Sequence, residues 1–233
     1  MDETNTRIRI GVAGIRGRMG AAVAEQVAAD AATTLAGGIV RPGGETAAGE
    51  TRLETDPDAL LPDIDVLIDV SLPDATPGLI VACLRHGTPL VCGVTGLDPA
   101  TMSTLREASA AIPVWYARNL SHGVATLLRL LPALAEELMG YDVSIVERHH
   151  SRKRDAPSGT ALALANATGG EPQVVSIRAG GIAGEHAVAF TSDTEEIVVE
   201  HRALSRAAFA AGAVRAARTL HGAAPGWYGP DPR

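Results

Sequence analysis

The chain has 233 residues, enough for one large domain or two small ones. Its formal charge of −7 argues against a general nucleic-acid or membrane-surface role, while leaving room for a local basic pocket. Hydrophobic residues make up 46% and aromatics only 3%, so Val, Ile, Leu and Ala must fill the core; that suits helices on a parallel sheet better than an all-β fold.

The opening "MDETNTRIRI" is polar and acidic, unlike a secretory leader. Residues 7–13, "RIRIGVA", read as a strand, followed by a glycine turn and a helical run, "MGAAVAEQVAA". "TTLAGGIV" is a second strand, and "RPGGETAAGE" (41–50) a mobile loop. "DVLIDVS" (65–71) is a buried strand with a polar end. "TPGLIVACLRHG" is a helix stopped by Gly87. "PLVCGVTG" is a strand, "DPATMSTLREASAA" a helix with Asp98 as N-cap and Pro99 in its first turn, and "IPVWYARN" one more strand. Strands alternating with helices imply a doubly wound parallel sheet over this half.

The pattern then changes. "GVATLLRLLPALAEELM" (123–139) is a long amphipathic helix, "DVSIVERHH" a strand ending in charge, and "SGTALALANAT" a helix. The stretch "QVVSIRAGGIAGEHAVAFTSDTEEIVVEHRALS" alternates with period two and reads as several antiparallel strands. "RAAFAAGAVRAARTLHG" is a last helix. The expected fold is thus α/β: a Rossmann-type parallel-sheet domain plus an α+β domain with a mixed or antiparallel sheet. No apolar run approaches the ~18 residues of a membrane span. Cys83 and Cys92 both stand in apolar context and are expected to be reduced core residues of a cytoplasmic protein.

Two stretches carry chemistry. "GVAGIRGRMG" places Gly11, Gly14, Gly17 and Gly20 between a strand and a helix, where the backbone can approach a pyrophosphate and the helix amides can bind it. The common G-x-G-x-x-G spacing would need glycine at Val12. The second strand ends at Val40 and Arg41, with no carboxylate to accept from a ribose 2′-OH. Arg41, with Arg16 in the turn, suits a 2′-phosphate instead, so NADPH is favoured over NADH.

The second stretch, "ERHHSRKRDAPSGTALALA" (147–165), crowds cations before a helix start. The helix offers its first amides and the Ser158 and Thr160 hydroxyls as an anion site. His149, His150 and Lys153 suit proton donation and a carboxylate or dicarboxylate substrate. No further ligands stand at spacing convincing for zinc, and Ser158 lacks a G-x-S-x-G context, so metal and hydrolase readings are set aside. Arg152 and Arg154 read as solvated surface. Two other functions fit the residues: a different two-domain NADPH dehydrogenase acting on a small carboxylate, and a cofactor-sensing regulator without catalysis.

The same stretch resembles the signature of the dihydrodipicolinate (4-hydroxy-tetrahydrodipicolinate) reductase family, E-x-H-H-x-x-K-x-D-A-P-S-G-T-A, at every fixed position. "VAGIRGRMG", "DVLIDVSLPD", "GVTGLD", "ARNLSHGV" and "SIRAGGIAGEH" resemble further family segments. The resemblance implies reduction of a cyclic dicarboxylate by NADPH or NADH in the diaminopimelate route to lysine. It implies His149 as the acid/base residue and Lys153 as proton donor. His150, Lys153, Ser158, Gly159 and Thr160 would hold the substrate. Gly14, Ile15, Arg16, Gly17, Arg18, Met19 and Arg41 would contact the cofactor. Gly93, Val94 and Thr95, with Ala117, Arg118, Asn119 and Leu120, would line the nicotinamide side. It further implies a homotetramer, a dinucleotide domain of residues 1–121 and 207–233, and a substrate and oligomerisation domain of residues 122–206. Gly93-Val94-Thr95 and Asn119-Leu120-Ser121 depart from the family's G-T-T and N-F-S, and the chain is shorter than usual after "ALALANAT".

Overall fold

A computed structural model describes residues 7–43 and 51–230. The readings of "MDETNTRIRI" before Arg7 and of a mobile loop at 44–50 lie outside the described residues. The chain divides into two compact units: one runs to Arg118 and resumes at Ala210, the other is Asn119–Phe209.

In the first unit, β1 (Ile8–Ala13), α1 (Arg18–Ala29) and β2 (Thr33–Ile39) form the opening β-turn-α-β. Next come β3 (Leu53–Glu54), the short α2 (Pro57–Leu60) and a 3₁₀ turn at Leu61–Asp63. Then follow β4 (Val66–Asp69), α3 (Thr76–His86), β5 (Leu90–Cys92), α4 (Pro99–Ala108) and β6 (Pro113–Tyr116). The described strands pair in parallel in the order β3-β2-β1-β4-β5-β6. The order reverses at β1, between β2 and β4, and such a switch point opens a crevice at the carboxyl ends of the strands.

The strands are nearly continuous apolar runs because helices cover both faces. Ile10, Val12, Leu67, Ile68, Leu90 and Val91 are wholly buried. Gly87 adopts a left-handed φ of 65° and caps α3, and the Asp98 carboxylate accepts from Thr101 N to cap α4. Cys83 and Cys92 are buried free thiols, which burial pushes well above the ordinary range.

In the second unit, α5 (His122–Glu137) and α6 (Gly159–Ala167) pack their apolar faces on a four-stranded sheet. The strands are β7 (Asp142–His149), β8 (Gln173–Arg178), β9 (Glu185–Thr191) and β10 (Glu196–Arg202), in the order β10-β9-β7-β8. Leu131, Ile145, Leu164, Val188 and Phe190 are its core. The sheet is mixed. β9 pairs antiparallel with β7 and β10, but β8 runs parallel to β7. Of the alternatives expected, a mixed or antiparallel sheet, the mixed one is found: β9 and β10 are antiparallel as read, and β8 is the exception. Helix α6 intervenes between β7 and β8 and returns the chain to the same sheet edge, which yields a parallel neighbour.

The last helix, α7 (Ala207–Leu220), leads into β11 (Gly226–Trp227), which adds a parallel edge strand beside β6. Two-residue strands carry no periodicity, so β3 and β11 were invisible in the sequence.

Candidate active site

In the first unit the glycines divide their work. Gly14 has φ +78°, and a Cβ there would lie 2.7 Å from Ser71 Cα and 3.0 Å from the Val70 carbonyl oxygen. Only glycine permits both the turn and this approach of β1 to the loop after β4. A Cβ at Gly20 would fall 2.1 Å from the Gly14 carbonyl oxygen, so α1 starts pressed against its own turn. Gly17 is the N-cap of α1 and brings no side chain to it, which leaves the first-turn amides to an incoming anion. The working spacing is therefore Gly14-x-x-Gly17-x-x-Gly20. Val12 sits buried in β1, where the commoner pattern would have put glycine.

These residues open onto a cavity of about 1160 Å3. Gly14, Arg16, Gly17 and Arg41 line it, with Ser71 and Leu72 from the loop after β4. Small-molecule pockets usually hold ~300–1,000 Å3, so this one accommodates a large ligand. Two cations and a close-approach backbone fit the phosphates of a dinucleotide. Arg85 also lines the cavity, ion-paired with Asp58.

Other expected contacts are placed differently. Ile15 is buried, packed where a Cβ at Gly38 would stand 2.5 Å from its Cγ2. Arg18 and Met19 are the first two residues of α1. Gly93 follows β5 and donates its N–H to the Asp69 carbonyl, Val94 turns its side chain into the core, and Thr95 is exposed. Asp69 is a residue that the sequence reading passed over as a polar strand end. Wholly buried, it accepts from Ser71 N at 3.0 Å, Ser71 Oγ at 2.5 Å and Thr76 Oγ1 at 2.9 Å, and shapes the loop that meets Gly14. Burial raises its pKa against those three bonds.

Ala117 and Arg118 close the first run of that unit, and Asn119 and Leu120 open the second unit. There Asn119 Nδ2 donates to Thr160 Oγ1 at 3.0 Å, joining a residue expected at the cofactor to one expected at the substrate. Asn119 Oδ1 accepts from Ser121 N, and Ser121 caps α5.

The charged stretch folds around a buried carboxylate. Glu147 and His149 are two residues apart on β7 and share its inward face with Ile145. His149 Nδ1 lies 2.5 Å from Glu147 Oε2. Arg178, opposite His149 in the parallel β7–β8 register, grips Glu147 through both oxygens at 2.7 and 2.9 Å. Ser158 N donates to Glu147 Oε1 at 3.2 Å. Burial pushes the Glu147 pKa up, but hydrogen bonds from Arg178, Ser176 and His149 outweigh it and bring it down to about 2. Burial lowers the His149 pKa, against the pull of Glu147 and with help from the Lys153 charge.

Around this pair, His150 follows the strand, and its carbonyl accepts from Lys153 N, turning the chain back. Lys153 Nζ lies 2.8 Å from Asp155 Oδ1. Arg152 and Arg154 are exposed, as expected of surface residues. Ser158 is buried and engaged: its Oγ accepts from Ala161 N as the cap of α6 and lies 3.3 Å from His186 Nε2. Its hydroxyl, expected among the substrate ligands, also caps the helix start. Gly159 and Thr160 supply the first-turn amides, for which a helix has no internal acceptor.

His186 and His201 extend the cluster. His149 and His186 meet edge to face at 5.1 Å, and His201 Nε2 lies 3.0 Å from Ser121 Oγ. Burial first, then the neighbouring histidines, lowers the His186 pKa to about 3. Glu147, Arg178, His186 and His201 were missed as site residues. The signal was the inward parity of Glu147 and His149 on one strand; the partner strands could not be read from local sequence.

A parallel sheet of this strand order, a glycine turn on an arginine-lined cavity, and a second unit with a buried Glu–His–Arg cluster define a nicotinamide-dependent oxidoreductase of two-unit build. Two family models match the chain: "Dihydrodipicolinate reductase, N-terminus" over residues 8–120 and "Dihydrodipicolinate reductase, C-terminus" over residues 123–231. The chain belongs to the dihydrodipicolinate reductase family. It is 40% identical over 230 residues to the 4-hydroxy-tetrahydrodipicolinate reductase of Xanthomonas campestris, covering 97% of each chain. It is 38% identical to that of Thiobacillus denitrificans, over 95% of this chain and 96% of the other. The solved structure of a dipicolinate-bound dihydrodipicolinate reductase from Paenisporosarcina sp. TG-14 shares the fold at a TM-score of 0.79 and 19% identity, covering 96% of this chain and 98% of that one.

Proposed function

We propose how this reductase performs its reaction, the NAD(P)H-dependent reduction of 4-hydroxy-tetrahydrodipicolinate to tetrahydrodipicolinate in the diaminopimelate route to lysine. The observation that carries the reading is the His149 ring bonded to a buried carboxylate, in one unit with Lys153 and the open first turn of α6. His150, Lys153, Ser158, Gly159 and Thr160 hold the substrate carboxylates through hydroxyls, amides and charge, with Ser158 also fixing the helix start. When bound, the cofactor supplies a hydride to the substrate ring. His149 and Lys153 manage the proton, with His149 as the acid/base residue and Lys153 as the donor. His149→Gln and Lys153→Ala are each expected to lower kcat by about 10²–10⁴-fold, followed by NADPH oxidation at 340 nm. Native kcat in both would overturn the assignment. Absence of turnover in the unaltered protein, with cofactor binding intact, would favour a sensor instead.

Cofactor choice belongs to the first unit. Gly14 to Met19 hold the pyrophosphate, Gly93 to Thr95 and Ala117 to Leu120 the nicotinamide side, and Arg41 with Arg16 takes the 2′-phosphate. No carboxylate stands among Val40, Arg41, Pro42 and Gly43 after β2, which supports NADPH as the favoured cofactor. Arg41→Ala should raise KM for NADPH and leave that for NADH nearly unchanged; equal effects on both would refute the role.

Residues 122–206 then serve as the substrate and oligomerisation domain, and residues 1–121 with 207–233 as the dinucleotide domain. The face of the second sheet away from its helices supports assembly as a homotetramer. Val146, Val175, Ile177 and Val198 are exposed there.

A further inference from the structure

Glu147 is buried at 0% exposure, yet nothing in the proton transfers requires a carboxylate at that point. Both of its oxygens are used. Oε1 accepts from Arg178 Nη2 at 2.7 Å and Ser158 N at 3.2 Å; Oε2 accepts from Arg178 Nη1 at 2.9 Å and faces His149 Nδ1 at 2.5 Å. A bidentate guanidinium and a backbone amide keep the carboxylate ionised and acceptor-only. An acceptor-only partner at 2.5 Å requires the proton to sit on Nδ1 of the ring. In a neutral imidazole that leaves Nε2 with a lone pair. A Cβ at Gly184 would stand 3.1 Å from Nε2, so glycine at 184 avoids crowding that edge of the ring.

We propose that Glu147, gripped by Arg178, is a positioning residue that fixes His149 as its Nδ1–H tautomer, so that His149 enters each turnover with an unprotonated Nε2, and the proton that accompanies the hydride comes from Lys153. The inference rests on His149 being the acid/base residue. The arrangement is the one by which a buried acid orients the histidine of hydrolase triads, here with an arginine behind the acid. The direction of the His149 pKa shift accords with it, because burial disfavours the charged ring. Arg178 serves the same end twice: its Nη2 also donates to the Asp155 carbonyl at 2.5 Å, tying the loop that carries Lys153 to the same guanidinium.

The decisive measurement uses the unaltered protein. In 15N-histidine-labelled enzyme, long-range proton–nitrogen spectra distinguish the two neutral tautomers. His149 is identified among the seven histidines by the signals missing in His149→Gln. The expected result is an Nδ1–H pattern at pH 7.5; an Nε2–H pattern would overturn the proposal whether or not any variant folds. In Glu147→Gln, kcat should fall about 10²-fold or more while KM for NADPH stays within about twofold. The acidic limb of its kcat/KM profile should move to lower pH, since the imidazolium loses its counter-charge. Glu147→Asp should recover part of kcat. Native kcat and an unshifted limb in a folded Glu147→Gln would refute the positioning role. Native kcat in His149→Gln would instead refute the catalytic assignment beneath it, and the tautomer spectrum separates the two failures.

Discussion

Gly14 is the position where one added methyl is expected to cost most. Its φ of +78° disfavours any Cβ, and the nearest backbone atom stands 2.7 Å from where that Cβ would be. Strain at such a site is worth on the order of 1–3 kcal/mol, before the clash is added. Gly14→Ala should therefore lower the melting temperature and weaken NADPH binding together, measured by calorimetry and fluorescence titration. Unchanged affinity would mean that the turn does not hold the cofactor. Glu147 shows the opposite limit of what a residue type reveals. The sequence pattern gives this glutamate no role beyond a place in the signature, and only its wholly buried place against Arg178 makes it central.

At the scale of elements, local chemistry set most boundaries. Asp98, Ser121 and Ser158 each start a helix by accepting from an amide within it. Asp98→Ala should cost about 0.5–2 kcal/mol by the loss of one such cap. Urea unfolding would show it as a lower midpoint at constant slope, with kcat unaffected because α4 carries no site residue. The same substitution at Ser158 should cost activity as well, because that residue also aligns an amide on Glu147 and a hydroxyl near His186. Strand direction was not local. The alternation in residues 173–202 marked β8, β9 and β10 as strands, but β8 lies parallel to β7. Period-two patterning says which side a residue faces and is silent on which neighbour a strand takes.

For the whole molecule, pH acts through the buried charged cluster. The carboxyl of Glu147 lies at about 2, below its ordinary 4.5, so its stabilising contribution is complete above pH 4.5 and is lost as pH falls toward 2. His186 titrates at about 3 rather than 6.5. Between those values an unfolded chain binds a proton that the folded one refuses, so stability again falls with pH. The melting temperature should be level above pH 7, decline below about 6.5 and decline faster below about 4.5. A profile flat from pH 6.5 to 4.5 would contradict the His186 shift, one no steeper below 4.5 would contradict that of Glu147, and His186→Gln should flatten only the upper part. If the exposed sheet face of the second unit joins copies of the chain, Val175→Asp should reduce the mass seen by light scattering. A mass unchanged from that of a tetramer, or a monomer in the unaltered protein, would dismiss that face as the interface.

The alternation of apolar runs, the glycines and the capping residues determined the parallel-sheet half by themselves, because those signals act within a few residues. The unbroken run from His149 through Thr160 likewise pointed to the family that the two family models match. Tertiary structure alone decided the rest. It brought Arg178 to Glu147 across 31 positions, set Asn119 against Thr160, and placed Ser158 near His186. The physical reason is that pairing between strands and the burial of a charge depend on which distant segments meet, and no local spacing encodes that.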